Sequence, residues 1–477
     1  MNYADSARIK AVLTNAGMHY TSDITEANLI IFDTCSVRQK SEDKVAGKMI
    51  EIRPDQKVWM TGCMVQHYLK NDKIKQAKTG KKSAQHTGNF VWGITIQDPE
   101  IIGRDNNFED ELKDKNLENV LYVNHAFSPL RSTYSQQYSN VELFFRIDDT
   151  GFLPLLADRL WYDVIVDNNL TNEYNSIIPH NSNQLFSENT KTAYVPVSTG
   201  CSQFCSYCIV PYARGLEKNR SVEDIIMEVK HHLENGIKEI VLLGQIVNKH
   251  PQFIDICKQI LELPELVWLR YTSPYPTFFP PELLELHEHH PKMCPHIHMP
   301  LQSGSDHILR KMFRGYSVSD YKTFIDNIRK LKRPISITTD IIVGHPDETD
   351  QDFEDSMELT KYAGFDMIYI GIYSPRPGTI WEKKYEDNIP MTVKKQRWVE
   401  LNNLLKSISE WNNQNEIGTT KQVMISRKLK NGNYMGYSDD MKNIIISPQN
   451  NDLLSLSSFY QVKITGAEAF KLYGTIV

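Results

Sequence analysis

The sequence is poor in cysteine and has no long apolar run, and each absence excludes a class of protein. Seven cysteines in 477 residues are too few, and odd in number, for the disulfide framework of a secreted protein. No segment approaches the roughly 18–20 apolar residues of a spanning helix, and residues 1–20 hold no signal-like apolar core. A net charge of −6 does not favour binding of polyanions over the whole surface. We therefore expect a cytoplasmic protein of several domains with no membrane contact.

The cysteines that are present are unevenly distributed. Cys201, Cys205 and Cys208 fall in the stretch STGCSQFCSYCIVPYARG (198–215), with the spacing C-x3-C-x2-C. A structural zinc ion takes four closed ligands, and Cys257, the nearest other cysteine in the chain, has no paired spacing. A cubane cluster has four irons, so three thiolates leave one iron open to chelate a small ligand. The spacing therefore favours an iron–sulfur cluster over zinc.

The chain falls into three regions, of which the first and last differ in pattern from the middle. Residues 1–190 begin with two strand-like segments, LIIF and KVWMTG, as in an α/β sheet. A polar insertion follows at about 70–140, and a linker rich in asparagine and serine closes the region at 166–190. Residues 416–477 hold short strand-like segments separated by turns, which predicts a small all-β module.

The middle region, residues 191–415, alternates between strand-like and helix-like patterns. The helix SVEDIIMEVKHHLENG has clear ends, with Ser221 as the N-cap and Gly236 at the C-terminus. Six strand–helix units predict a parallel sheet curled into a partial (β/α)6 barrel, with the active site at the carboxyl ends of the strands. The cysteine triad follows the first of these strands. The strand-like segments are YVPVS (194–198), EIVLLG (239–244), VWLRY (267–271), HIHMP (296–300), ITTDIIVG (337–344) and MIYIGIY (367–373).

The cysteine spacing, with Tyr207 before the last cysteine, resembles that of the radical S-adenosylmethionine (SAM) enzymes. In that superfamily the open iron binds the amino and carboxylate groups of SAM, which is cleaved reductively to a 5′-deoxyadenosyl radical. The segments LLGQ (242–245) and DIIVGHPDET (340–349) are similar to the strand ends that contact SAM there. The resemblance implies that Cys201, Cys205 and Cys208 hold a catalytic [4Fe-4S] cluster.

Nearly the whole chain is similar to the methylthiotransferase family within that superfamily. The motifs CSYCIVPYARGLEKNRS, EIVLLGQIVN, HMPLQSGSDHILRKMFRGY, TDIIVGHPDET and YSPRPGT carry the resemblance. The segments DTCSVR and TGCMVQ resemble two of the three cysteine motifs of the family's first domain, which makes Cys35 and Cys63 the implied ligands of a second [4Fe-4S] cluster. The C-terminal module is similar to a TRAM domain, an RNA-binding β-barrel, and its surplus of basic residues suits phosphate.

The fold class implied is α/β, in three parts. These are an N-terminal methylthiotransferase α/β domain (1–190), a central partial (β/α)6 radical SAM barrel (191–415) and a C-terminal all-β TRAM-like barrel (416–477).

Within the family, LLGQIVN and RGLEKNR resemble the branch that methylthiolates carbon 2 of N6-isopentenyladenosine at position 37 of tRNA, with SAM as radical source and methyl donor. The alternatives are the branch acting on threonylcarbamoyladenosine, the branch acting on a ribosomal protein, and an RNA-binding protein defective in sulfur insertion. The implied partners are a tRNA anticodon stem-loop and a reductant such as flavodoxin or ferredoxin. We expect the chain to act as a monomer.

The resemblance also implies roles for side chains at the strand ends. Arg214 and Arg220 flank the cysteine loop and suit RNA phosphate or the SAM carboxylate, unless they are solvated loop charges. Residues after the fourth strand contact SAM or substrate, or they cap the next helix. The residues expected to contact SAM are Tyr207, Gly244, Gln245, Gln302, Ser303, Asp340 and Gly344, and those expected to contact substrate are Arg214, Arg220 and Arg376.

One departure from the family concerns the start of the chain. The family's first domain begins with a strand ending Gly-Cys-Gln-Met-Asn, whose cysteine is the third ligand of the second cluster. Met1 and Asn2 align with the last two of these residues, so either this chain starts at an internal methionine, which we expect, or the protein lacks the third ligand. As written, the chain is expected to cleave SAM but to insert sulfur poorly, because two cysteines anchor a cubane loosely.

Overall fold

The structure is a computed structural model that describes residues 2–35, 39–65, 95–96, 141–145, 147–154, 157, 164, 191–448 and 453–477. The chain divides into two compact units. Unit 1 comprises Met1–Phe186 together with Cys208–Leu216, and unit 2 comprises Ser187–Tyr207 together with Glu217–Val477. Apart from residues 95–96, the predicted insertion at about 70–140 lies outside the described residues, and so does the predicted linker at 166–190. Among the described helices, none is both long enough and apolar enough to cross a membrane.

Unit 1 is built on a four-stranded sheet in the order β1-β2-β4-β3, in which only β3 runs antiparallel to its neighbour. The predicted strands in LIIF and KVWMTG are β1 and β2. Both are apolar runs, and β2 is almost entirely buried, which is typical of a parallel sheet. The elements are α1 (Asn2–Asn15), β1 (Leu29–Thr34), α2 (Gln39–Met49), β2 (Lys57–Gly62), β3 (Thr95–Ile96), β4 (Val141–Phe144), a 3-10 turn (Ile147–Phe152) and α3 (Val210–Arg214).

The first part of unit 2 contains the six predicted parallel strands in two three-stranded groups, β5-β8-β9 and β10-β11-β12. A bridge between Leu269 and Met293 connects the two groups. The strands are β5 (Thr192–Pro196), β8 (Glu239–Leu243), β9 (Trp268–Tyr271), β10 (His296–His298), β11 (Ser336–Val343) and β12 (Met367–Ile372), and the short pair β6 (Ser198–Thr199) and β7 (Lys218–Asn219) flanks the cysteine loop.

Helices alternate with these strands, as the sequence pattern predicts. Ser221 accepts a hydrogen bond from the backbone of Asp224 and so caps α4, and Gly236 follows the end of that helix with a φ of 84°. The helices are α4 (Val222–Glu234), α5 (Phe253–Leu261), α6 (Pro281–His289), α7 (Asp306–Lys311), α8 (Val318–Arg329), α9 (Asp350–Ala363), α10 (Ile380–Lys384) and α11 (Met391–Gln414), with 3-10 turns at Val247–Lys249 and Pro276–Phe278.

The C-terminal part of unit 2 is a closed five-stranded barrel in the order β13-β14-β15-β17-β16. Alternate residues of its strands fill the interior, among them Val423, Ile444 and Val462, all fully buried. This confirms the small β-barrel expected from the sequence. Its strands are β13 (Thr420–Lys428), β14 (Tyr434–Ser438), β15 (Asn443–Ile446), β16 (Phe459–Glu468) and β17 (Lys471–Ile476).

The C-terminal barrel is docked on β8 and β9 through buried polar groups. Arg270 donates to Glu239 at 2.6 Å and to the backbone carbonyls of Ser438 and Asp439. The hydroxyl of Tyr437 donates to the same carboxylate, also at 2.6 Å. Every charged group in this contact has a partner, as a buried charge requires.

Candidate active site

The three clustered cysteines lie on the loop between β6 and α3. Cys201 and Cys205 are buried, Cys208 is partly exposed, and none of them forms a disulfide. The loop turns at Gly200 and Phe204, whose φ angles are 71° and 50°. Cys201 and Cys205 therefore follow the first strands of unit 2 at their carboxyl ends, and Cys208, which belongs to unit 1, is three residues further along the chain.

Backbone hydrogen bonds fix the middle of the loop. Ser206 donates from its amide to the carbonyl of Met312 at 3.1 Å, and its own carbonyl accepts from the amide of Trp381 at 2.9 Å. Its hydroxyl donates to the carbonyl of Lys311 at 2.8 Å. The loop is therefore tied to the regions after β10 and β12, which restricts where Cys205 can point.

A partly buried cation stands beside Cys205. The guanidinium of Arg314 donates to the Cys205 sulfur at 3.4 Å and to the carbonyl of Pro300 at 3.2 Å. Its charge lies 4.5 Å from the centre of the Tyr275 ring. A positive charge favours the thiolate, which is the form of cysteine that binds iron. Arg314 lies within the quoted motif HMPLQSGSDHILRKMFRGY, but no spacing rule links it to the cysteine loop, so sequence reasoning missed it.

The environment of Cys201 is different. Burial raises the pKa of its thiol, while a backbone hydrogen bond at Gln203 and the charge of Lys249 act in the opposite direction. Tyr207, the residue expected to contact adenine, is partly exposed and interacts electrostatically with Arg314.

The donor set of the loop fits a cubane cluster. It offers thiols alone, on one segment and next to positive charge, and a cubane binds each thiolate to a separate iron. Within the described ranges, no three histidine, cysteine or carboxylate side chains stand close enough to share a single metal ion.

Gly244 and Gln245 directly follow β8. The backbone at Gly244 packs closely against Val247 and Ser198. A Cβ there would lie 2.8 Å from Val247 Cα and 3.0 Å from Ser198 Oγ. Gln245 is partly exposed. A residue with a side chain at 244 would therefore push apart the strand end and the loop that follows it.

Gln302 and Ser303 lie after β10, at the same end of the sheet. Gln302 has a φ of 75°; its amide donates to the carbonyl of Asp340, and its carbonyl accepts from the amide of Ile342. Ser303 is fully buried and accepts from the amide of Ser305, and Ser305 caps α7. Of the two roles open to this segment, helix capping is confirmed for Ser305.

Asp340 lies on β11 and is partly exposed. Its carboxylate contacts His298 Nε2 at 3.0 Å, and Nδ1 of the same ring contacts the hydroxyl of Thr338 at 3.0 Å. His298 on β10 is thus held by partners on the neighbouring strand β11. Cys257 and Cys294 are both fully buried in the interior, as expected of structural cysteines.

Packing against a neighbouring side chain explains why residue 344 is a glycine. Its φ is 70°, and a Cβ there would lie 2.3 Å from Cγ of Lys394, whose side chain is buried. The Lys394 ammonium pairs with Asp387 at 2.6 Å. The glycine makes room for this lysine, so its presence requires no contact with adenosine.

Arg220 and Arg376, which the resemblance assigns to substrate, are both buried. Arg220 pairs with Glu228 at 2.5 Å and donates to the carbonyl of Pro196, and neither side chain of the pair reaches solvent. This corrects the expectation that Arg220 binds phosphate or the SAM carboxylate, because its guanidinium is used inside the fold. Arg376, in the loop after β12, is also buried.

Cys35 and Cys63 of unit 1 follow the ends of two neighbouring strands. Thr34 and Gly62 are paired at the ends of the parallel strands β1 and β2, and Cys35 and Cys63 are the next residues. Gly62 has a φ of 96°, and a Cβ there would collide with the backbone of Thr34. Cys63 is buried, which raises the pKa of its thiol, and Cys35 is partly exposed and contributes to that rise.

Arg214, the third arginine, contacts this cysteine pair. Its Nε donates to the Cys63 sulfur at 3.0 Å, and its other end forms an ion pair with Asp5 of α1. Both charged side chains are buried. Arg214 is therefore placed at the second cysteine site, and it is not a solvated loop charge.

Comparison with known proteins agrees with this arrangement. Residues 195–360 match the radical SAM superfamily, and residues 1–83 match a family described as uncharacterized protein family UPF0004. The chain is thus a radical SAM enzyme, whose cofactors are a [4Fe-4S] cluster and SAM.

Curated relatives match over the full length. A tRNA-2-methylthio-N(6)-dimethylallyladenosine synthase from Thermosipho melanesiensis is 32% identical over 488 residues, covering 100% of this chain and 96% of the relative. A protein with the same name from Dictyoglomus thermophilum is 30% identical over 483 residues, with 100% and 96% covered. The chain belongs to this family of methylthiotransferases.

Solved structures are more distant. The radical SAM methyltransferase TsrM from Kitasatospora setae, with cobalamin and a [4Fe-4S] cluster bound, has a TM-score of 0.44 and 13% identity. The match covers 75% of this chain and 67% of that one, a likeness too remote to bear on function.

Proposed function

We propose that this enzyme methylthiolates carbon 2 of N6-isopentenyladenosine at position 37 of tRNA, with SAM as radical source and methyl donor. The observation that carries the proposal is the full-length similarity to relatives named for that modification. The substrate position is an aromatic C–H bond that side-chain acids and bases cannot activate, so a cofactor must supply the reactive species.

Cys201, Cys205 and Cys208 would hold the SAM-cleaving cluster, and Cys35 and Cys63 would be ligands of the second. When bound, the first cluster supplies the electron that cleaves SAM, and the second supplies the sulfur that is methylated and transferred. Arg314 stabilises the Cys205 thiolate through its hydrogen bond. The loop anchors at Ser206 hold that thiolate in place.

SAM would lie along the strand ends that surround the loop. Tyr207 suits a contact with adenine, and the approach at Gly244 and Gln245 suits the amino group. Gln302 and Asp340, joined through their backbones across two strands, suit the ribose. Ser303 and Gly344 would support the SAM site indirectly, because Ser303 is buried and Gly344 makes room for the side chain of Lys394.

The tRNA would bind in part to the C-terminal barrel. Lys421, Lys442 and Lys471 are engaged in ion pairs with carboxylates. The exposed cations of the β13–β14 hairpin are better placed for phosphate, namely Arg427, Lys428 and Lys430. Tyr434 is buried, and the hydroxyl of Tyr437 donates a hydrogen bond to Glu239. Neither ring is therefore available to stack on a base.

The proposal is tested by mass spectrometry of tRNA nucleosides from a strain that lacks the gene. Loss of the methylthio group from isopentenyladenosine, with the isopentenyl group retained, supports the assignment. Restoration by the wild-type chain and not by the Cys201, Cys205 and Cys208 triple alanine variant ties the loss to the cysteine loop. Loss of a methylthio group from threonylcarbamoyladenosine or from a ribosomal protein would transfer the assignment to another branch.

A further inference from the structure

The contact between Arg214 and Cys63 is used by neither SAM binding nor tRNA binding. Arg214 lies on α3, two residues after which the chain leaves unit 1, and its side chain is 3% exposed. Its Nε atom is 3.0 Å from the Cys63 sulfur. Asp5, fully buried on α1, pairs with the other end of the same guanidinium. A planar fork therefore joins a carboxylate on one side to a sulfur on the other.

We propose that Arg214 is a positioning residue of the second cluster, which raises the reduction potential of that cluster through its hydrogen bond to the Cys63 sulfur. The inference rests on the proposed function, which makes Cys63 a cluster ligand. Hydrogen bonds to ligand sulfurs and nearby positive charge stabilise the reduced form, which carries one more negative charge. Burial strengthens the effect, because the guanidinium acts through a low dielectric and is not screened by water.

Arginine is the residue that this geometry requires. Its Nε and its terminal nitrogens point in different directions from one rigid plane, so it can bond Cys63 and Asp5 together. A lysine ammonium is a point charge on a flexible stem, and it can satisfy the carboxylate while losing the oriented bond to sulfur. Asp5 in turn keeps the arginine from swinging away from the thiolate.

The test measures the potential of the second cluster in the full-length chain. The Cys201, Cys205 and Cys208 triple alanine background removes the first cluster, so the electron paramagnetic resonance signal reports the second alone. In that background, Arg214→Gln should lower the potential, so that the ratio of reduced to oxidised cluster at fixed potential falls about tenfold, or about 59 mV. The potential of Arg214→Lys should lie between that of the triple alanine background and that of Arg214→Gln, because lysine retains the charge and loses the oriented bond.

Removing the arginine strands the buried Asp5 carboxylate, so the single variant risks misfolding. The double variant Asp5→Asn/Arg214→Gln removes both charges and the hydrogen bond to sulfur, and it should show a lowered potential, by less than Arg214→Gln because loss of the Asp5 charge acts in the opposite direction. A matched control is Arg220→Gln/Glu228→Gln, which removes another buried arginine–carboxylate pair in the other unit and should leave the potential unchanged.

The outcomes separate the two claims. About eight irons in the wild-type chain, with equal potentials in the wild-type and Arg214 variants, would overturn this inference and leave the proposed function intact. About four irons in the wild-type chain, and none in the triple alanine background, would overturn the second cluster and this inference with it.

Discussion

Near the cysteines, two arginine guanidiniums each donate a hydrogen bond to a sulfur; the Arg214 side chain is buried and Arg314 is partly buried. Arg314 stands 3.4 Å from Cys205, and Arg214 stands 3.0 Å from Cys63. Burial alone raises the pKa of a thiol, as it does for Cys63 and Cys201. At Cys63 the charge of Arg214 acts against that rise, although the pKa of the thiol remains raised, and it favours the thiolate that iron requires.

The three clustered cysteines give the sharpest prediction at this scale. Replacing Cys201, Cys205 and Cys208 with alanine should remove about four irons per chain and abolish 5′-deoxyadenosine formation from SAM under reduction, since no thiolate is left to hold the cluster. Iron analysis and chromatography of the reaction check this. Cys257→Ala, a fully buried cysteine far along the chain, should retain both. A triple variant that still made 5′-deoxyadenosine would refute the role of the loop.

Gly344 gives a prediction about stability. Gly344→Ala should destabilise unit 2 by about 2–4 kcal/mol, because alanine at a positive φ is strained and its Cβ collides with the buried Lys394. Gly418→Ala is the matched control, with a φ of 91° and nothing within 4 Å of the added atom, and should cost about 1–2 kcal/mol. Urea unfolding measures both. Equal losses would mean that Lys394 moves aside freely.

At the scale of elements, the parts that sequence predicts are those fixed by local chemistry. The capped helix α4 and the apolar strands β1, β2, β8 and β11 lie where their patterns place them. Each depends on neighbours within a few residues, such as Ser221 accepting from Asp224. For the same reason the order of strands and the position of the cysteine loop at their carboxyl ends follow from the alternation of strand and helix.

The parts that sequence does not reveal depend on contacts between distant residues. The centre of strand β14 is Gly436, and glycine is required there because an added Cβ would lie 2.4 Å from the Met424 carbonyl oxygen. From the sequence Arg220 resembles a solvated loop charge, but in the structure it forms a buried ion pair with Glu228. Arg314 lies 109 residues beyond the cysteine it contacts. No local rule predicts such pairings.

The β13–β14 hairpin carries a prediction about tRNA. Changing Arg427, Lys428 and Lys430 to glutamine should weaken tRNA binding and flatten its dependence on salt. Each lost phosphate contact lowers the slope of log K against log salt by about 0.7–0.9. Filter binding at several salt concentrations measures this.

The control for the hairpin changes three exposed lysines of unit 2 that lie outside the C-terminal barrel. These are Lys258 on α5, Lys322 on α8 and Lys330 directly after α8. The control removes the same formal charge, so an equal loss of slope would show that the hairpin has no special role. SAM cleavage without tRNA should be unaffected in both variants.

At the scale of the molecule, stability should fall in acid because unit 2 buries neutral histidines. Burial lowers the pKa of His287 to about 3, and Tyr271 contacts its Nε2 at 2.7 Å. Since the unfolded chain takes up a proton near pH 6.5 and the folded chain does not, this stabilisation is complete above about pH 6.5 and is lost as pH falls below it, by about 1.4 kcal/mol per pH unit.

The variant His287→Gln should lose that share of the slope between about pH 7 and pH 5, because glutamine does not titrate. His289→Gln, at an exposed position on the same helix, is the matched control for the substitution itself. Urea unfolding at each pH gives the comparison. A slope that His287→Gln does not alter would mean that His287 gains its proton in the folded state.

The most direct test of the account uses the purified chain, reconstituted anaerobically with iron and sulfide and supplied with SAM, a reductant and an anticodon stem-loop RNA carrying N6-isopentenyladenosine. Mass spectrometry of the digested RNA should detect the 2-methylthio derivative, with 5′-deoxyadenosine in the same reaction. The stem-loop without the isopentenyl group should remain unmodified. Absence of 5′-deoxyadenosine from the reaction, or equal modification of both RNAs, would contradict the account.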